Sequence, residues 1–152
     1  PLIRQQMEAA GHRAPEFYVV GSKVTDEIKA LEQPGSGIVI KGFVSEEELE
    51  QLYATCKIVV VPLRYGAGVK GKVVEAIYNG APIVTTSIGA EGIPQVEDVL
   101  LVEDAPEQFA ETVVRLYQDD EACRELCGRT QRYIRQHFSM DAAWRVVEED
   151  FQ

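Results

Sequence analysis

Short β-branched apolar runs, each followed by an amphipathic stretch of helical period, recur from one end of this 152-residue chain to the other. Uninterrupted apolar strands suit a sheet covered on both faces, and alternation with helices is the pattern of a parallel sheet with crossover connections. This constrains the fold class to α/β. "LIRQQMEAAG" reads as a helix stopped at Gly11, "EFYVVG" as a strand, and "VTDEIKALEQ" as a helix closed by "PGSG". "IVIKG" is the next strand. In "SEEELEQLYATC", Ser45 and Glu48 have capping-box spacing and acids fill the first turn, where the helix dipole favours them. "KIVVVPL" reads as a central strand buried on both faces, "GKVVEAIYNG" as a short helix ended by Gly80, "APIVTTS" as a buried strand and "VLLVE" as a last, short one. The remainder is helical: "PEQFAETVVRLYQD" with Pro106 early, "DEACRELCGRTQRYIRQHF", and "SMDAAWRVVEEDFQ" capped by Ser139.

One domain with one core, spanning residues 1–152, is the expectation for this length. The formal charge of −10 argues against a nucleic-acid partner, whose footprint is a basic face, so any anion site must be local. Cys56, Cys123 and Cys127 are an odd number without framework spacing, which fits reduced thiols and a cytoplasmic location. Cys123 and Cys127 lie one helical turn apart with no third ligand nearby and read as core packing. No run reaches the ~18 apolar residues of a transmembrane segment. The chain opens "PLIRQQ" without an initiator methionine and reads as cut from something longer.

The stretch "RYGAGVKGKVVEAIYNG" follows an apolar strand, the place where open α/β sheets bind ligands. From Lys57 to Val74 there are four cations (Lys57, Arg64, Lys70, Lys72) and no acid. Gly66, Gly68 and Gly71 let the backbone turn tightly against a ligand, and the amides of the following helix point at it. Phosphate is the natural guest, with Lys70 and Lys72 adding charge-assisted contacts to a diphosphate. Glu75, one turn into the helix, would be repelled by phosphate but can accept hydrogen bonds from the adjacent hydroxyls of a ribose. The P-loop spacing is absent. "GAGVKG" matches G-x-G-x-x-G but follows an interior strand, with no acid ending a strand about 20 residues on. The other reading of this spacing is a solvated glycine loop.

The order and spacing of "GFV", "PLRYGAG", K-x-K-x-x-E-A, "NGAPIVTT" and "GAEGI" resemble the C-terminal, donor-binding half of group 1 glycosyltransferases of the GT-B fold (the GT4-like family), closely from Glu16 to about Ile93. The resemblance implies a Rossmann-like parallel sheet and a nucleotide diphosphate sugar as substrate, with no separate cofactor. It places the donor diphosphate at Lys70, Lys72, Gly66 and Gly68, the ribose at Glu75, and the base at the backbone of Gly42, Phe43 and Val44. Gly89, Ala90, Glu91 and Gly92 fall beside the donor pocket, and Arg64 either touches the donor or covers the strand's end, as does Tyr65. Two departures stand out. Ala67 occupies the first position of the family's E-x7-E motif, and the chain lacks the family's opening strand with its Arg/Lys pair as well as the acceptor-binding N-terminal domain.

In a 3-2-1-4-5-6 sheet the missing strand is central, so "EFYVVG" and "IVVVP" would flank an empty lane. The expectation is direct closure of the two halves, or filling of the lane by another chain, including self-association. Transfer of a hexosyl group would build charge on the leaving diphosphate, which the lysines and helix N-terminus stabilise. No Asp-x-Asp pair ends a strand, and Asp119-Asp120 reads as a cap or solvated pair, so no metal is expected. No catalytic residue is assigned; a base would come from the missing domain, and the isolated chain is expected to be inactive. His12 and His137 read as surface residues, Trp144 with Val147 and Phe151 as core, and Arg129, Arg132 and Arg135 as a solvated face. A non-catalytic fragment or interaction module is the rival reading. A sugar-nucleotide epimerase is disfavoured by the K-x-K-x-x-E-A context.

Overall fold

The computed structural model describes residues 1–138, which form two compact units, Pro1–Thr55 and a second from Cys56 on. The helix expected at residues 139–152, with Ser139, Trp144, Val147 and Phe151, lies outside the described residues. No helix among those described is long and apolar enough to cross a membrane.

The first unit runs α1 (Leu2–Ala9), β1 (Phe17–Val20), α2 (Asp26–Lys29), β2 (Ile38–Gly42) and α3 (Glu46–Thr55). β1 and β2 pair in parallel, with a register shift between Val19 and Val20 that sets Val20 against Gly42. Gly11 ends α1 at φ +77°, as its place after the last apolar residue predicts. α2 is a single turn capped by Thr25, shorter than the ten-residue helix expected, because the chain leaves helix at Ala30 and turns through Gly35 at φ +78°. The capping box at α3 is half formed. Ser45 Oγ accepts from the Glu48 amide at 3.2 Å, but the Glu48 carboxylate turns to Lys41 at 3.3 Å. Glu32 accepts from the Ile40 amide at 2.9 Å, which satisfies a donor of β2 that the β1 ladder does not use.

The second unit runs β3 (Val59–Val61), α4 (Gly71–Tyr78), β4 (Ile83–Thr85), α5 (Ser87–Ala90), β5 (Leu100–Val102), α6 (Pro106–Gln118) and α7 (Asp120–His137). Its strands are parallel in the order β3-β4-β5. β4 is the fully covered strand, Ile83, Val84 and Thr85 all being without solvent exposure. β3, expected as the central buried strand, is an edge of this sheet and only Val61 is buried in it. A strand with one ladder neighbour keeps part of its surface open even when its composition is β-branched throughout. α4 packs on β3, β4 and α7 through Val73, Ala76 and Ile77, all at 0% exposure, while α6 packs on β4 and α7. Burying such side chains contributes roughly 1.5–3 kcal/mol each.

The fold is therefore α/β, with parallel sheets flanked by helices, as the alternation implies. The strands lie in two sheets, β1-β2 in the first unit and β3-β4-β5 in the second. Each pairing is nonetheless the one that the 3-2-1-4-5-6 order requires: the first two strands adjacent, and the last three in sequence.

Candidate functional site

β3 stops at Pro62, and the chain then crosses the carboxyl end of its sheet. Two threonines of the β4 end anchor that crossing. Thr85 Oγ1 donates to the Val61 carbonyl at 2.9 Å, and Thr86 Oγ1 donates to the Leu63 carbonyl at 2.6 Å. Thr86 Oγ1 also accepts from the Gly89 amide at 3.3 Å, capping α5. At the other side of α5, the Ser87 amide donates to Asp104 Oδ1 at 2.8 Å. The β3 loop, α5 and the end of β5 are thus tied together by polar contacts.

Beyond Leu63 the loop is open. Arg64, Tyr65, Gly66, Ala67 and Gly68 are exposed, Tyr65 at 87%. Gly66 and Gly68 adopt φ of +126° and +74°, conformations that side chains disfavour, which is why glycine stands at both. A Cβ on Gly66 would also lie 3.1 Å from Lys70 Cε, so the lysine stem packs beneath the bare backbone. Lys70 Nζ folds back to donate to the Gly68 carbonyl and pairs with Glu91 Oε2 at 3.2 Å. Its side chain is only 11% exposed, against 49% for that of Glu91. A second contact joins the same two segments, since Gly92, at φ +74°, lies against Val69 so closely that a Cβ would come within 2.9 Å of Val69 Cγ2.

α4 starts at Gly71, and no side chain caps it. The amides of Val73 and Val74 donate to the Lys70 carbonyl at 3.0 and 3.2 Å, leaving those of Gly71 and Lys72 directed out of the helix start. Lys72 and Glu75 are exposed on the first turns, neither in an ion pair among the described residues. Asn79 Nδ2 and the Asn79 amide both donate to the Glu75 carbonyl, and Gly80 takes φ +71° just past the end. An open, uncapped helix start beneath a glycine loop with two lysines is suited to an anion.

The second unit therefore brings Gly66, Gly68, Lys70, Lys72, Glu91 and Gly92 to one sheet end, with Arg64 on the same loop. Gly89 and Ala90 are in the helical turn α5, and Gly89 is buried. Gly42, Phe43 and Val44 follow β2 in the first unit. Gly42 takes φ +65°, its carbonyl accepts from Gly21, and the Phe43 side chain is 82% exposed.

Lys57 does not belong with the other cations. It precedes β3 and so stands at the opposite end of that strand. Its Nζ donates to the Tyr117 carbonyl and to Asp120 Oδ1, and sits 4.8 Å from the Tyr117 ring centroid. The hydrogen bond to Asp120 holds the Lys57 ammonium above its usual pKa against the opposing effect of burial, and the same bond holds the Asp120 carboxyl below the usual carboxylate range. Asp119 caps α7, its Oδ1 accepting from the Ala122 amide at 2.9 Å. The two acids read as a possible cap are thus a cap and a strut.

Residues 1–119 match the family described as glycosyl transferases group 1. The chain belongs to that family. An uncharacterized 44.6 kDa protein in the cps region of Klebsiella pneumoniae is 28% identical to it over 105 residues, 68% of this chain and 27% of that protein. The chain thus spans about a quarter of the length of the curated relative it matches. Within this group 1 glycosyl transferase, the matched span takes in every candidate site residue from Gly42 to Gly92 and ends at the start of α7.

The candidate site also has parts that no sequence motif marks. Thr85 and Thr86 were legible only as the end of a buried strand; two adjacent hydroxyls there, where carbonyls of the neighbouring strand run out of ladder partners, are the signal. Asp104 follows β5 at the same sheet end and offered no motif at all.

Proposed function

We propose that this chain is the donor-binding half of a GT4-like glycosyltransferase that moves a hexosyl group from a nucleotide diphosphate sugar to an acceptor hydroxyl. The observation that carries the reading is the uncapped start of α4, with the Gly71 and Lys72 amides open beneath the Gly66–Gly68 loop and Lys70 and Lys72 beside it. The diphosphate of the donor sits at this loop, and Glu75, exposed one turn on, takes the ribose hydroxyls. Gly42, Phe43 and Val44 contact the base. As the glycosidic bond to the diphosphate breaks, negative charge grows on the leaving oxygens. The two ammonium groups and the helix start stabilise it most at that stage, which lowers the barrier without a metal ion. The acceptor and any general base belong to an N-terminal domain that is the chain's partner, and the enzyme works in the cytoplasm.

Calorimetric titration with UDP, GDP and ADP tests the reading. At least one nucleotide should bind, with affinity unchanged by a chelator. Removing one charge-assisted contact of ~1.5–3 kcal/mol by Lys72→Ala should weaken it roughly 10- to 100-fold. Glu75→Ala should weaken the nucleotides while leaving inorganic pyrophosphate unaffected. Absence of binding by all three nucleotides would instead support a non-catalytic module that keeps the fold.

A further inference from the structure

The ion pair between Lys70 and Glu91 is an unexpected occupant of the proposed diphosphate site. A phosphate drawn to the Lys70 ammonium would meet a carboxylate already 3.2 Å from it, and two like charges at such range disfavour each other in the half-screened setting of a loop. The pair is lopsided. Lys70 is largely covered, with its stem under Gly66 and its ammonium turned back on the Gly68 carbonyl, whereas the Glu91 side chain is half exposed and has Lys70 as its ion-pair partner. Glu91 also lies just past α5, at φ −55° and ψ 131°, outside the helical turn that Thr86 and Asp104 hold. The carboxylate can therefore swing into water at little cost, while the lysine stays where it is.

We infer that Glu91 is an internal counter-ion of the donor site: in the free chain it occupies Lys70, and a bound diphosphate takes its place. This rests on the donor reading above. The exchange is a competition between one carboxylate and a doubly or triply charged diphosphate for the same ammonium. An ion pair with one half-exposed partner is weak, so the diphosphate prevails, yet each binding event bears the cost of displacing Glu91. The same exchange removes a tie between the 66–70 loop and the 89–92 segment, leaving the Val69–Gly92 contact in place. Glu91 acts through Lys70 and sets affinity and anion selectivity; monoanions, which compete poorly with a carboxylate, are held out.

The test is titration of the chain with inorganic pyrophosphate and with UDP, in the wild type, Glu91→Gln, Lys70→Ala and the double variant, with circular dichroism confirming that each is folded. Glu91→Gln should tighten both ligands roughly 2- to 5-fold, the value of a weak surface pair. Lys70→Ala should weaken them, and Glu91→Gln should have no effect once Lys70 is gone. The gain in Glu91→Gln should shrink at high salt. Binding that depends on Lys70 but is unchanged or weakened by Glu91→Gln overturns the inference and leaves the donor reading standing. Binding indifferent to Lys70, or none at all in any variant, overturns both. Tightening that persists in the Lys70→Ala background overturns the exchange, since it would reflect only the removal of a negative charge from the surface.

Discussion

Gly89→Ala probes how the sheet end that carries the site is held. The backbone at Gly89 is helical, so alanine is conformationally acceptable there and gains about 1 kcal/mol of helix propensity. The obstacle is steric. A Cβ would lie 1.9 Å from Thr85 Oγ1 and 3.2 Å from Thr85 Cβ. Thr85 is wholly buried, its β-branched side chain has few rotamers, and its hydroxyl is committed to the Val61 carbonyl. Either the threonine rotates and its buried hydroxyl loses its partner at a cost of about 1–3 kcal/mol, or α5 is pushed outward, an overpacking cost of about 1–3 kcal/mol. After the propensity gain is subtracted, a net loss of up to roughly 2 kcal/mol remains. With a urea slope of about 2 kcal/mol/M, the midpoint followed by circular dichroism should fall by up to about 1 M with the slope unchanged. Repeating the change in a Thr85→Ala background removes the colliding oxygen, and there the penalty should shrink to ~0.5 kcal/mol or less. An equal penalty in both backgrounds would refute the assignment of the cost to Thr85. So would a net stabilisation by Gly89→Ala when Thr85 is present.

The Lys57–Asp120 pair makes a pH-dependent contribution whose sign is set at both ends. Asp120 is held below its ordinary value, so its share is present above the unfolded pKa of ~3.9 and is lost as pH falls through the folded value; Lys57 is held above its own, so its share is present below the unfolded ~10.4 and lost as pH rises through the folded value. Thermal melts of Asp120→Asn should show lower stability than wild type near neutrality, with the gap closing in strong acid and strong base. A gap independent of pH would show that the pair contributes through packing alone. Burial pushes the Cys123 and Cys127 thiols up, keeping them protonated, so alkylation of both at neutral pH should be slow beside a model thiol and should accelerate on unfolding. Fast labelling of either in the folded chain would contradict that placement, and mass spectrometry of peptides reads it directly.

Much of the fold was legible because it rests on local periodicity. The five strands stand where the β-branched runs lie, and α4, α6 and α7 begin and end within a residue or two of their apolar period and their Pro106, Asp119 and Gly80 signals. What failed was also local in a telling way. α2 shrank to one turn because none of its four residues is buried, so no packing extends it, and α5 went unseen because "SIGA" has no amphipathic pattern, its turn being held by Thr86 and Asp104 from outside.

By itself, the amino-acid sequence determined the parallel α/β class, the placement of glycines at backbone angles that side chains avoid, and the accumulation of cations after β3. These follow from period, φ and charge, properties that a residue carries with it. Only the tertiary structure decided which of those cations serve the loop. Lys57 is drawn away by Asp120, 63 residues along the chain, while Lys70 stays on the loop and is paired there with Glu91, 21 residues along. Thr85 reaches Val61 across 24 residues in the same way. Charges and hydroxyls act over a few ångströms regardless of chain order. Their partners are chosen by the ladders that set β3 beside β4 and β4 beside β5, and no local pattern in the sequence encodes which side chains those ladders bring within reach.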